Sequence, residues 1–282
     1  MTNVTLTDLD SRFSETTGWY FREDQRVLTV EGEHRQTYLH SVSTQDFRTA
    51  KGPTLAALLN PKGKMLATFQ AHVADDAVHL QIDEGQWDAV LEILGRYKMR
   101  SRVAWHERTD LKAFTVIGSV RSTGGLTTLD DPARLRTDAL AAHAPEGFSM
   151  DAELFERHRV AFGIPRFGVD LSSYDLLLEI PYFMDAVSLN KGCYPGQEVV
   201  ARLTSRGTHV ARKLVRVAID RPAPSTLPVG VSFKGADVGR LTSATTIGTR
   251  SLGLAMVHRS AFDPGTELAL ASGQTATILP SS

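Results

Sequence analysis

The 282-residue chain holds a single cysteine. An internal disulfide and a multi-cysteine zinc site each need more than one, so both are excluded, and a reducing compartment is the matching environment. An excess of charge of one sign is also missing: 31 Lys and Arg stand against 32 Asp and Glu, a formal net charge of −1. That balance gives no electrostatic reason to expect nucleic acid or an anionic membrane as a partner. No apolar run approaches the roughly 18 residues of a membrane span, and Met1 to Asp10 has neither the basic flank nor the apolar stretch of a secretory signal. Neither Gly-x-Gly-x-x-Gly nor Gly-x-x-x-x-Gly-Lys-Ser/Thr occurs, and the nine histidines show no metal-ligand spacing. The expectation is a cytoplasmic globular protein with no nucleotide loop and no metal site. Its 42% hydrophobic residues suffice for the cores of one large domain or two to three small ones.

What is present is concentrated between Asn190 and Arg202. Pro195 suits the first turn of a helix, and the run from Gln197 to Leu203 is one a helix tolerates, so Cys193 falls just before a helix N-terminus. There the unpaired N–H groups and the positive end of the dipole favour a thiolate, and Lys191 adds a positive charge two residues away. Gly192 and Gly196 let the backbone turn sharply and leave room for a group approaching the sulfur. A lone cysteine is most often a small buried hydrophobe, but Lys, Gly, Pro, Gly, Gln and Glu make a poor core segment. A functional thiol is therefore the stronger reading, with Cys193 and Lys191 as candidate catalytic residues. Glu198 is spaced either to orient Gln197 or to pair with Arg202 four residues on. His209 offers a base for a Cys-His pair, but reads better as a polar residue at a domain boundary.

Along the chain, Val27 to Val30 reads as a strand, Glu33 to Val42 as a helix with Tyr38, Leu39 and Val42 inward, and Leu55–Leu59 with Met65–Val73 as a hairpin about Asn60-Pro61-Lys62-Gly63. Val78 to Ile82 is a further strand, and Trp87, Val90, Leu91 and Leu94 predict an amphipathic helix over Gly85–Tyr97. Arg102–His106 and Lys112–Ile117 are strand-like; a polar, Gly-rich passage runs from Gly118 to Asp131. Pro132 opens a possible helix over Asp131–His143. Asp151–Phe162 is a helix stopped by Gly163, and Arg166–Val187 is a long wrapped connection. Beyond Arg202 six short strands separated by turns predict a small barrel or sandwich, with the boundary near Thr208. The predicted organisation is an α+β region over 1–208 and an all-β barrel over 209–282.

The motif Lys191-Gly192-Cys193-Tyr194-x-Gly196-Gln197-Glu198-x-x-x-Arg202 closely resembles the signature of the YgfZ family of folate-binding proteins, relatives of the glycine-cleavage T-protein. Tyr38 to Asp46, Leu59 to Leu66, Gly163-Ile164-Pro165, Gly239 to Ser243 and Leu252 to Ala255 resemble the same family in the same order, so the likeness covers nearly the whole chain. It implies a cloverleaf, GcvT-like arrangement of α+β folate-binding lobes with a C-terminal barrel. It also implies tetrahydrofolate or a derivative in a central cavity, and work with iron-sulfur client or assembly proteins. Gly192, Tyr194, Gly196, Gln197, Glu198 and Arg202 then support the cysteine, while Phe155, Asn60 and Lys62 are candidate folate contacts. Read from the residues, Lys62 and Lys64 offer two ammonium groups on one turn to a glutamate tail, although taken alone they read better as a solvated hairpin tip. Three departures bear on activity. Leu66-Ala67-Thr68-Phe69 lacks the carboxylate that the T-protein carries after its glycine turn. No Tyr-x-Gly-Glu occurs between Gly118 and Asp151, and Gln25 and Phe155 stand where the bacterial pattern has two tryptophans. An iron-sulfur accessory factor is thus favoured over a tetrahydrofolate-dependent transferase, with a non-catalytic binding module as the third reading.

Overall fold

The structure, a computed structural model, describes residues 18–118, 127–205 and 209–280. The chain divides into two compact units, one of residues 1–152 with 185–197 and one of residues 153–184 with 198–282.

The first unit holds two antiparallel sheets. Strands β1 (Gly18–Phe21), β2 (Gln25–Glu31), β3 (Pro53–Leu59), β4 (Met65–Val73), β5 (Ala77–Asp83), β6 (Ala104–Glu107), β7 (Lys112–Ile117), β8 (Thr127–Asp131) and β9 (Arg136–Ala141) form a five-stranded sheet ordered β3-β4-β5-β2-β6 and a four-stranded sheet ordered β1-β7-β9-β8. Helices α1 (Arg35–Val42) and α2 (Trp87–Tyr97) supply Tyr38, Leu39, Val42, Trp87, Val90, Ile93 and Leu94 to a core shared with the first sheet. Strand alternation decides which β4 side chains join it: Ala67, Phe69 and Ala71 do, and Thr68, Gln70 and His72 therefore project from the opposite face. The β3–β4 hairpin closes as its sequence predicts. Asn60 Oδ1 accepts the N–H groups of Lys62 at 2.9 Å and Lys64 at 3.0 Å, an Asx turn that fixes the tip.

One predicted element is replaced. Asp131–His143 is not a helix: Pro132 opens only a single 3₁₀ turn over Pro132–Arg134, Leu135 ends it at φ 49°, and the chain continues as β9. Pairing with β7 on one side and β8 on the other overrides a local preference for helix. Of the Gly-rich passage before it, residues 127–131 form β8, and residues 119–126 lie outside the described residues.

In the second unit, α3 (Ala152–Ala161) ends at Gly163, whose φ is +71°. The connection that follows contains 3₁₀ turns at Leu177–Glu179 and Pro181–Ala186. After α4 (Gln197–Ser205), strands β10 (Arg212–Ile219), β11 (Val229–Phe233), β12 (Ala236–Ile247), β13 (Arg250–His258), β14 (Glu267–Leu270) and β15 (Thr275–Ile278) close a barrel in the order β10-β13-β12-β11-β14-β15. All six strands expected from the turn signals are present. The boundary near Thr208 lies outside the described residues. A buried ionic cluster fastens α3 to the barrel: Arg159 donates to Asp170 at 2.7 Å, to Ser243 Oγ at 2.7 Å and to Glu156 at 2.7 Å. Asp170 also accepts from Thr242 and Ser243, each at 2.6 Å, so the charges are held in a closed network. Among the described residues no helix is long and apolar enough to cross a membrane.

Candidate functional site

The cysteine motif is mounted on the end of α1. A helix leaves its last carbonyls without intrahelical partners, and here an ammonium supplies them. Lys191 Nζ donates to the carbonyls of His40, Ser43 and Gln45, the last at 3.1 Å, and lies 4.7 Å from the centre of the Tyr194 ring. The approach to this clamp is fixed by the same segment. Thr44 Oγ1 donates to the Ala186 carbonyl at 2.6 Å, Ser188 N to the Thr44 carbonyl at 3.0 Å, and Gln45 Nε2 to the Asp185 carbonyl at 3.0 Å. Burial lowers the Lys191 ammonium to about 8, with Asp46 pulling the other way. Lys191 is thus a half-buried cation whose donors are committed to backbone oxygens.

Beyond the clamp the chain runs through Cys193, an exposed, unpaired thiol, to the start of α4 four residues later, as the sequence predicts. Tyr194 is buried, and its backbone N–H donates to Gln197 Oε1 at 3.3 Å. Gly196 has φ +83° and packs against the hairpin tip of Asn60 to Gly63. Glu198 and Arg202 are both exposed and form no ion pair among the described residues, so the i,i+4 pairing offered by their spacing is not made. In water that pair gains only about 0.3–0.5 kcal/mol, too little to hold two long side chains together.

Two residues absent from the sequence-based candidates form a pair against the loop that carries the thiol, at Gly192. His40 is 7% exposed, and its Nδ1 lies 2.8 Å from Asp46 Oδ1. Asp46 is itself oriented: Oδ1 accepts the Arg48 N–H at 3.0 Å, and its own N–H donates to Gln45 Oε1 at 3.0 Å. Burial lowers the His40 imidazole, Lys191 adds to that, and the Asp46 hydrogen bond opposes it. A Cβ placed on Gly192 would lie 3.7 Å from His40 Nε2. His and Asp six positions apart across a helix end form no recognised spacing, so only the fold reveals the pair.

The candidate folate contacts are dispersed in role. Asn60 spends its side-chain oxygen on the hairpin turn, and Lys62 sits exposed on that turn. Phe155 belongs to α3 and is buried at 5% exposure, a core ring of its unit. The outward face of β4 carries a polar group that sequence reasoning passed over. Thr68 Oγ1 donates to Gln86 Oε1 at 3.3 Å, and Gln70 Nε2 to Asp138 Oδ2 at 2.6 Å. Asp138 is locked by Arg136 at 2.7 Å and Thr115 at 2.6 Å. Gln70 Oε1 and Gln86 Nε2 are buried with no hydrogen-bond partner among the described residues.

No family model matches the sequence. Over its described fold the chain is similar to the glycine cleavage system aminomethyltransferase T from Bartonella henselae, with a TM-score of 0.78 and 14% identity, covering 99% of this chain and 89% of that one. This is a GcvT-like fold of mixed α and β structure with a six-stranded C-terminal barrel. In sequence the chain is 26% identical over 276 residues to the mitochondrial iron-sulfur cluster assembly factor IBA57 of Mus musculus, spanning 84% of this chain and 77% of that protein. It is 30% identical over 282 aligned residues to a putative chloroplastic transferase of Arabidopsis thaliana, spanning 84% of this chain and 64% of that protein. The IBA57 iron-sulfur cluster assembly factors are thus homologues of the chain, and its fold is that of the aminomethyltransferase, a combination that matches a YgfZ/GcvT-like family.

Proposed function

We propose that this protein supports the assembly or repair of iron-sulfur clusters in client or assembly proteins, binds tetrahydrofolate or a derivative, and acts through Cys193. The observation that carries the reading is the mounting of the thiol: it is exposed and unpaired, on a loop held by Lys191 and seated through Gly196 on the hairpin. A packing cysteine needs no such scaffold, whereas a reactive one needs to be held where a partner reaches it. The homologues named as iron-sulfur cluster assembly factors supply the class of work.

The residues present fit a folate. A pterin edge carries hydrogen-bond donors and acceptors, and Gln70 and Gln86 each bring an uncommitted amide atom to one polar face. Lys62 presents an exposed ammonium for a carboxylate tail. The folate would supply a carrier for a one-carbon unit; the chain's part is to hold it. β4, from Met65 to Val73, carries no carboxylate, and Thr68 is engaged with Gln86, which weighs against a transferase reading that needs an acid there.

The test is complementation of a strain lacking this protein, read as iron-sulfur enzyme activity, with wild type and Cys193→Ser. Loss of activity with an unchanged melting temperature is expected. Full activity of Cys193→Ser would remove the thiol from the function, and calorimetry showing no heat with any reduced folate would remove the ligand.

A further inference from the structure

We propose that His40 is the base that takes the proton of the Cys193 thiol, directly or through one water, and that Asp46 is the residue that positions it. The inference rests on reading Cys193 as the reactive group, and it assigns that group the partner it needs. The argument is geometric. His40 is more than nine-tenths buried, yet its Nε2 has no hydrogen-bond partner among the described residues. Nδ1 faces the Asp46 carboxylate at 2.8 Å, so the neutral ring carries its proton on Nδ1 and presents the Nε2 lone pair. That nitrogen opens onto Gly192, next in the chain to Cys193, where a Cβ would stand 3.7 Å away. Absence of a side chain at Gly192 leaves the space between ring and thiol segment unfilled.

The clamp makes the juxtaposition durable. Lys191 donates to the carbonyl of His40 itself, so the loop carrying the thiol and the helix carrying the base are tied at one residue. The charged groups facing His40 are Asp46, Lys191 and Arg48. In the step proposed, the S–H bond breaks, its proton passes to Nε2, and the electron pair stays on sulfur as the thiolate. The imidazolium so formed is stabilised by Asp46, and the proton later leaves to solvent; in alkylation by iodoacetamide the thiolate forms the S–C bond as the C–I bond breaks and iodide departs. The two groups act differently: the Lys191 ammonium is committed to the carbonyls of His40, Ser43 and Gln45, while the neutral imidazole is free to accept the proton.

The experiment is the rate of iodoacetamide alkylation of Cys193, the chain's only thiol, followed from pH 5.5 to 9 in wild type, His40→Gln and Asp46→Asn. At pH 7, His40→Gln should slow alkylation roughly tenfold or more, and Asp46→Asn by a smaller factor, each with an altered pH profile. Melting temperatures and the alkylation rate in denaturant serve as controls for fold and for the thiol itself. If His40→Gln does not fold, the wild-type profile decides: its inflection should coincide with the titration of His40 followed by nitrogen NMR. A folded His40→Gln with the wild-type rate and profile, or a wild-type inflection unrelated to His40, overturns the proposal. Because alkylation needs no client protein, a slowed rate in His40→Gln alongside full complementation by Cys193→Ser would leave the proton acceptor standing and defeat the cellular reading alone.

Discussion

A Cβ on Gly196 would lie 2.5 Å from the carbonyl oxygen of Asn60 and 3.2 Å from the Cα of Gly63. The cysteine loop thus reaches the hairpin tip through a position that only glycine fills, at a φ of +83° that side chains rarely adopt. Gly196→Ala meets backbone on one side and strain on the other, and is expected to lower stability by about 2 kcal/mol or more. Urea denaturation measures it; a loss within about 0.5 kcal/mol would show that the loop does not need this seat.

Lys191→Met keeps the length of the stem and removes the ammonium. The carbonyls of His40, Ser43 and Gln45 then lose a shared donor. A cost of about 2 kcal/mol is expected from the unpaired oxygens, together with protease sensitivity in residues 186–196 where wild type resists. A variant as stable and as resistant as wild type would reduce the clamp to a surface contact.

His72 is fully buried on β4, with Nε2 3.3 Å from Gln81 Oε1, and burial lowers it from 6.5 to about 4. The unfolded chain protonates this histidine as pH falls through 6.5, while the folded one resists until about 4. Stability from this group is therefore complete above 6.5 and is lost progressively on the way down to about 4, a total of roughly 3 kcal/mol. His72→Gln, which retains an amide donor for Gln81, should flatten the fall in melting temperature across that window. Parallel curves for the two proteins would assign acid lability to other groups.

Arg159 is 2% exposed and neutralises Asp170, which is fully buried. Arg159→Met leaves that carboxylate without its cation and should cost about 3–5 kcal/mol, whereas the exposed pair Arg96–Glu92 should lose under about 1 kcal/mol when Arg96→Ala is made. Equal costs in the two variants would mean that Asp170 is compensated by Thr242, Ser243 and the Arg166 N–H without the guanidinium.

Much of this protein is legible from the chain itself because the deciding physics is local. Pro-Gly order fixes the hairpin at Asn60 to Gly63, Gly163 stops α3, alternating apolar residues and turns mark six barrel strands, and Pro195 places Cys193 just before α4. The helix expected over Asp131–His143 fails for the converse reason: Pro132 signals a helix start locally, but pairing with β7 on one side and β8 on the other selects the strand. The site divides the same way. That Cys193 is exposed and precedes a helix follows from its neighbours, but the carbonyls that hold Lys191 lie more than 140 residues earlier, and so does the imidazole beside Gly192. Hydrogen bonds and close approaches of that sequence separation leave no periodicity to read. They exist only once the sheets and α1 have brought residues 40–46 and 185–196 to the same place, which is why the motif was visible in the sequence and its base was not.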